Sequence, residues 1–271
     1  MPSPVRLHRP FFILALLAVC TACGGGGGGG SGAAAPATST PQPAVPATPN
    51  ADITVLMMGN SHTTVQGLNM QLEQLLRNGS GGKTVALTVA SGFMYLDERL
   101  ADAGSMALLR SRSWSVVVLQ AQKYSTSGQF FYSTAEAEEL VRIARTAGSL
   151  PVMFPEWPRE GVDETARIYD LHVSIAQKQP ACVAPIGQAW ELSLQRHPEL
   201  RLHSEDGNHS APAGAFLAAV MLYATISGTQ PAQLLALPDL ANGVDAASQA
   251  KLRQVAADTA LAYPPRRYCP A

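Results

Sequence analysis

The chain has 271 residues, 46% of them hydrophobic and 14% charged, with a formal net charge of -1. This composition can bury a core, which excludes extensive disorder beyond the N-terminal region. Without a basic block or net positive charge, a nucleic-acid partner has no electrostatic support.

The first residues carry an export pattern. Arg6 and Arg9 precede the apolar run Phe11 to Val19, which is too short to span a bilayer as a mature helix. Cys23 follows Thr21-Ala22 and precedes the glycine run Gly24 to Gly30. This stretch resembles a bacterial lipobox, with Cys20 where leucine is usual. The resemblance implies a signal peptide over 1–22 and lipidation of Cys23. Ordinary cleavage with release, or lipidation at Cys20, are the alternatives. An acylated cysteine would tether the protein to a membrane surface without a spanning helix. The implied location is the cell envelope, in the periplasm or at the outer membrane. Residues 23–50 hold the polyglycine and then Pro36, Pro41, Pro43, Pro46 and Pro49, a composition suited to a flexible tether. The folded domain is expected over 51–271. Cys182 and Cys269 are either a disulfide, as an oxidising compartment allows, or two separate buried thiols.

Within the domain, short apolar runs alternate with helical spacing. Ile53 to Met58, ended by Gly59, reads as a buried strand. Gln66 to Arg77 spaces Leu68, Leu72, Leu75 and Leu76 as a helix does. Val85 to Val89 is a second strand, Met94 to Leu109 a helix, and Val116 to Leu119 a third strand. Ala135 to Ala147 is a helix with acids early and Arg142 and Arg145 late, matching the helix dipole. Then come the strand Val152 to Phe154, the helix Asp163 to Gln177, the strand Cys182 to Ile186, and helices over Ala213 to Ile226 and Asp245 to Ala262. Alternation of this kind predicts an α/β fold: a three-layer, flavodoxin-like sandwich with a central parallel sheet of about five strands.

Ligands of open parallel sheets sit at the carboxyl ends of the strands. Gly59-Asn60-Ser61-His62-Thr63 follows the first strand, and places Ser61 where a helix start favours developing negative charge. A plain helix cap is the competing reading of this block. Asp206-Gly207-Asn208-His209-Ser210 precedes a late helix. A carboxylate three residues from an imidazole can fix its tautomer, leaving the other ring nitrogen to take a hydroxyl proton. An exposed polar turn is the competing reading there.

Together these blocks resemble the SGNH/GDSL hydrolase superfamily, with Gly-Asn-Ser for its Gly-Asp-Ser opening and Asp206-x-x-His209 for its closing block. The similarity runs from about Ile53 to Ile226. It implies Ser61 as nucleophile, His209 as base and Asp206 as its orienting carboxylate. It also implies an oxyanion hole from the backbone N–H groups of Ser61 and Gly92. The family's third block is Gly-x-Asn; here Gln120-Ala121-Gln122 stands in its place, so either Gln122 or Gln120 supplies the side-chain donor. Asn60, His62, Trp157 and Arg159 are candidates for the substrate rim, with packing as the alternative for His62 and for Trp157.

Other motifs do not hold. The serine block lacks the second glycine of G-x-S-x-G. Gly81-Gly82-Lys83-Thr84 precedes a strand, whereas a phosphate loop follows one. No residue cluster has zinc spacing, and no metal or cofactor is expected. The resemblance implies an ester hydrolase working through an acyl-enzyme on small acyl or acetylated carbohydrate esters. An envelope O-acyltransferase with the same triad, or a non-catalytic glycan-binding lipoprotein, are the other two readings. The expected partners are a small ester or acetylated glycan substrate and, through the anchor, a membrane.

Overall fold

The computed structural model describes residues 50–237 and 241–271. The signal peptide, Cys20, Cys23 and the tether up to Pro49 lie outside the described residues.

Five parallel strands form one sheet: β1 Ile53–Met58, β2 Val85–Val89, β3 Val116–Gln120, β4 Leu150–Phe154 and β5 Cys182–Val183. Their order is β2-β1-β3-β4-β5. In register, Val55 pairs with Val116 and Gln120 with Phe154. The helices are α1 Leu68–Gly79, α2 Leu96–Ala101, α3 Ala103–Arg110, α4 Ala135–Thr146, α5 Thr165–Lys178, α6 Ile186–Arg196, α7 Pro212–Ser227 and α8 Ala246–Ala262.

The strands are apolar on both faces because each face meets a helical layer. Side chains alternate across a strand, so Val55, Met57, Val116, Val118, Val152 and Phe154 enter one core with residues of α1, α6, α7 and α8. Leu56, Met58, Val117, Leu119 and Met153 enter a second core with residues of α2 to α5. Helix α7 is buried on every side over Ala213–Thr225, which explains its nearly unbroken apolar sequence.

Several elements differ from the sequence expectation, among them α6, for which the sequence predicts no helix. The helix expected over Met94 to Leu109 is broken at Asp102, which is extended and caps α3 by accepting the Ser105 N–H at 2.6 Å. The strand expected to reach Ile186 ends at Val183, because the chain turns at Pro185 into α6. Helix α1 starts only after two 3-10 turns, Ser61–Thr63 and Val65–Gly67. Cys182 and Cys269 are brought together as a disulfide with a sequence separation of 87.

Strand order reverses between β1 and β3: after β1 the chain adds β2 on one side and β3 on the other. The crevice at such a switch point opens over the carboxyl ends of β1 and β3.

Candidate active site

Ser61 leaves β1 at this crevice in the first 3-10 turn, with Asn60 as its cap. Asn60 Oδ1 accepts both the N–H of His62 and the ring Nδ1–H of His62, each at 3.0 Å. The Asn60 carbonyl accepts the N–H of Thr63 at 3.1 Å and its hydroxyl at 2.8 Å. Gly59 is required by crowding: a Cβ there would lie 2.3 Å from Gln120 Oε1.

The second half of the site is a tight turn between Ser204 and Ser210. His203 and Ser210 form an antiparallel bridge, and the Ser204 N–H donates to the His209 carbonyl at 2.8 Å. Asp206 organises the turn. Its Oδ1 accepts from Ser204 Oγ at 2.7 Å and from the N–H groups of Asn208 and His209 at 2.9 Å each. Its Oδ2 lies 2.6 Å from His209 Nδ1. The Ser204 hydroxyl first, and then His209 and the two N–H groups, hold the Asp206 carboxyl well below the usual carboxylate range. Ionised Asp206 is an acceptor only, so Nδ1 of His209 carries the ring proton. Nε2 is then left with a lone pair, 2.8 Å from Ser61 Oγ. Ser61, His209 and Asp206 therefore form one hydrogen-bonded row across 148 residues of sequence.

His62 lies under this row. Its ring stacks on His209 at 5.1 Å between centroids and meets Trp157 at 4.8 Å. Burial, and then the neighbouring His209 charge, push the His62 pKa down to about 4, so the ring is neutral near pH 7. Trp157 is 2% exposed. It stacks flat on Trp190 at 4.7 Å and donates its indole N–H to the Asn208 carbonyl at 2.8 Å. Of the two readings of Trp157, the structure favours packing over the rim: it is a buried support beneath the Asp206 turn. His203 belongs to the same support, edge-on to Trp190 and bonded to the Pro158 carbonyl at 2.8 Å.

Neither glutamine is available as an oxyanion donor. Gln120 is fully buried; its Oε1 accepts the Asn60 N–H at 2.8 Å, which fixes the amide orientation, and its Nε2 donates to Glu156 Oε2 at 2.9 Å. Gln122 is turned away by Ala121, whose φ is +73°, and its Nε2 donates to the carbonyls of Lys123 at 3.0 Å and Ser133 at 2.9 Å. By contrast, among the described residues no protein acceptor meets the N–H of Ser61 or of Gly92. Gly92 has a φ of +73°, a left-handed conformation that glycine adopts without strain.

A cleft of about 790 Å³ opens here, lined among others by Asn60, His62, Tyr95, Tyr132, Arg159 and Asp206. Arg159 forms an ion pair with the buried Glu164 at 3.4 Å and reaches the Thr126 hydroxyl. Glu156 also lines the cleft, and burial pushes its carboxyl up to about 7. Sequence reasoning passed over Glu156 and also Arg99, a fully buried cation behind the site.

No protein-family model and no curated protein matches the sequence. Solved structures do match. One is a protein from Slackia heliotrinireducens described as a candidate SGNH hydrolase; it is 24% identical, has a TM-score of 0.51, and the match covers 63% of this chain and 97% of that one. The chain has the fold of an SGNH hydrolase. A DUF4886 family protein from Bacteroides uniformis ATCC 8492 shares the fold at 17% identity, with a TM-score of 0.58 over 79% of this chain and 96% of that one.

Proposed function

We propose that the protein is a serine ester hydrolase acting through an acyl-enzyme. The observation that carries this reading is the Ser61–His209–Asp206 row, with hydrogen bonds of 2.8 and 2.6 Å and the ring tautomer fixed by an ionised carboxylate. His209 Nε2 takes the Ser61 proton as Oγ bonds the ester carbonyl carbon. The N–H groups of Ser61 and Gly92 receive the oxyanion. Collapse expels the alcohol, which leaves with the proton held on His209. Water then repeats the steps and releases the acid. Neutral His62 beneath His209 keeps a second positive charge away from the imidazolium that forms.

The substrates we propose are small acyl or acetylated carbohydrate esters. Tyr95 and Tyr132, 44% and 48% exposed, line the cleft beside Lys123 and Asp97. Rings interleaved with hydrogen-bonding groups suit the apolar face and hydroxyl edge of a sugar. An exported, envelope-anchored location belongs to the same proposal, and the Cys182–Cys269 pairing supports an oxidising compartment.

The test is hydrolysis of 4-nitrophenyl acetate and of acetylated oligosaccharides, with fluorophosphonate labelling. The expected results are release of free acetate, a label on Ser61, and loss of both in Ser61→Ala. A Ser61→Ala variant with full activity would overturn the mechanism. Transfer of acetate to an added glycan would redirect it to acyl transfer.

A further inference from the structure

Arg99 lies on α2 and is fully buried, yet no carboxylate forms an ion pair with it among the described residues. Its two terminal nitrogens are instead met by main-chain oxygens from the ends of β1 and β2 and by Ser105, while Nε has no hydrogen-bond partner among the described residues. Nη2 donates to the carbonyls of Gly59 at 2.7 Å, Gly92 at 2.5 Å and Ala90 at 3.4 Å. Nη1 donates to the Ser91 carbonyl at 2.6 Å and to Ser105 Oγ at 3.0 Å. A cation stripped of water and held mainly by carbonyl dipoles is costly to bury, even with the charges of Asp102 and Glu98 near it. Structural need alone is a weak account of it, since apolar side chains could fill the same space.

Peptide planarity shows what the arrangement does. In a trans peptide the C=O of one residue and the N–H of the next point in opposite directions. The Ser91 carbonyl faces Arg99, so the Gly92 N–H points away from it. The Gly59 carbonyl faces Arg99, so the Asn60 N–H faces away, and it meets Gln120 Oε1 at 2.8 Å. The other end of that amide donates to Glu156 Oε2 at 2.9 Å. A line of aligned dipoles thus runs from the Arg99 cation, through the Gly59–Asn60 peptide and the Gln120 amide, to the Glu156 carboxyl. It passes directly behind Ser61. The cation also polarises the Ser91–Gly92 peptide so that the Gly92 N–H is a stronger donor.

We infer that Arg99 is a positioning residue for the oxyanion-binding N–H groups, and that Arg99 and Glu156 clamp the nucleophile turn from the two ends of this dipole line. The inference rests on the ester-hydrolase reading for its effect on rate, while the clamp itself is independent of that reading.

The experiment measures kcat and KM for 4-nitrophenyl acetate with the full chain and its Arg99→Met, Arg99→Lys and Glu156→Gln variants. Melting curves accompany each, with amide hydrogen exchange of peptides covering 59–62 and 90–93. Arg99→Met should lower kcat about a hundredfold with KM changed less than about threefold, because the donors act on the transition state. Arg99→Lys should recover only part of this, since an ammonium cannot reach all four carbonyls. Glu156→Gln keeps an acceptor but removes charge, and should lower kcat about fivefold. Exchange should quicken over both segments in the Arg99 variants. Folded variants with kcat within about twofold of the wild type would overturn the inference; should Arg99→Met fail to fold, the other two decide by the same criterion. An inactive wild type would defeat the ester-hydrolase reading instead, and unchanged exchange in the folded variants would then overturn the clamp.

Discussion

His172 offers a quantitative test of the fold away from the cleft. It sits in α5 at 1% exposure, with Nδ1 2.7 Å from the Ile168 carbonyl and Nε2 unpartnered. Burial pushes its pKa from 6.5 down to about 4. A histidine with a depressed folded pKa contributes stability that is present above the unfolded pKa and lost as pH falls through the folded value. Between pH 7.5 and 4.5 the unfolded chain takes up the proton and the folded chain largely does not, so the loss from this residue is on the order of 2–3 kcal/mol, not yet complete at pH 4.5. Leucine fills similar volume without a titrating group. The assay is urea denaturation of wild type and His172→Leu at both pH values. The stability difference between the two proteins should move in favour of the variant by about 2–3 kcal/mol on going to pH 4.5. The comparison must be made as a difference. His62, also depressed to about 4, loses stability in the same window, whereas Glu156, raised to about 7, gains it as pH falls. A stability difference that stays constant with pH would refute the reasoning.

Gly59→Ala should lower activity more than tenfold although it removes no reactive group, because its Cβ would press on Gln120 Oε1 at 2.3 Å and displace the clamp. Denaturation should show a loss of about 1–3 kcal/mol for the overpacking. Replacing Cys269 with serine opens a covalent loop with a sequence separation of 87, and should cost about 4 kcal/mol in denaturation under non-reducing conditions, with little difference from wild type under reductant.

The strands were legible because each is a short apolar run, and the sheet buries both of its faces. The Asp206 turn was legible because its bonds are local: Asp206 reaches only Ser204, Asn208 and His209. The glutamines were not, because an amide's direction is set by partners far away in sequence. For Gln120 the deciding contacts are Asn60 and Glu156, 60 and 36 residues away. For Trp157 the sequence leaves rim and packing open, because it follows a strand; α6, which has no counterpart in the sequence reading, supplies Trp190 to cover it and decides for packing. Arg99 did leave a trace. It stands three residues after Leu96, on the buried face of α2, where a solvated charge has no place.

The two halves of the site are therefore held by different physics, and this has a consequence for how distant changes reach the chemistry. The acid–base half is a self-contained turn, half exposed, whose carboxylate satisfies its own neighbours. Strain in the sheet reaches it through the turn after β4, where the Trp157 indole donates to the Asn208 carbonyl and the Glu160 N–H to the Gly207 carbonyl, each at 2.8 Å, and through the His62 ring stacked on His209. The nucleophile half has no such independence. Ser61 hangs on a strand end whose peptide planes are set by Arg99, Gln120 and Glu156, each from a different element. Disturbance of α2 must appear first in the proposed oxyanion donors and in the reach of Ser61 Oγ, whereas disturbance of the turn after β4 reaches both halves, through Glu156 and through the bonds of Trp157 and Glu160 to the Asp206 turn. Damage arising in α2 lowers kcat while the Asp206 turn keeps its own hydrogen bonds, since the two halves meet at the 2.8 Å Ser61–His209 bond and at the His62 ring stacked on His209.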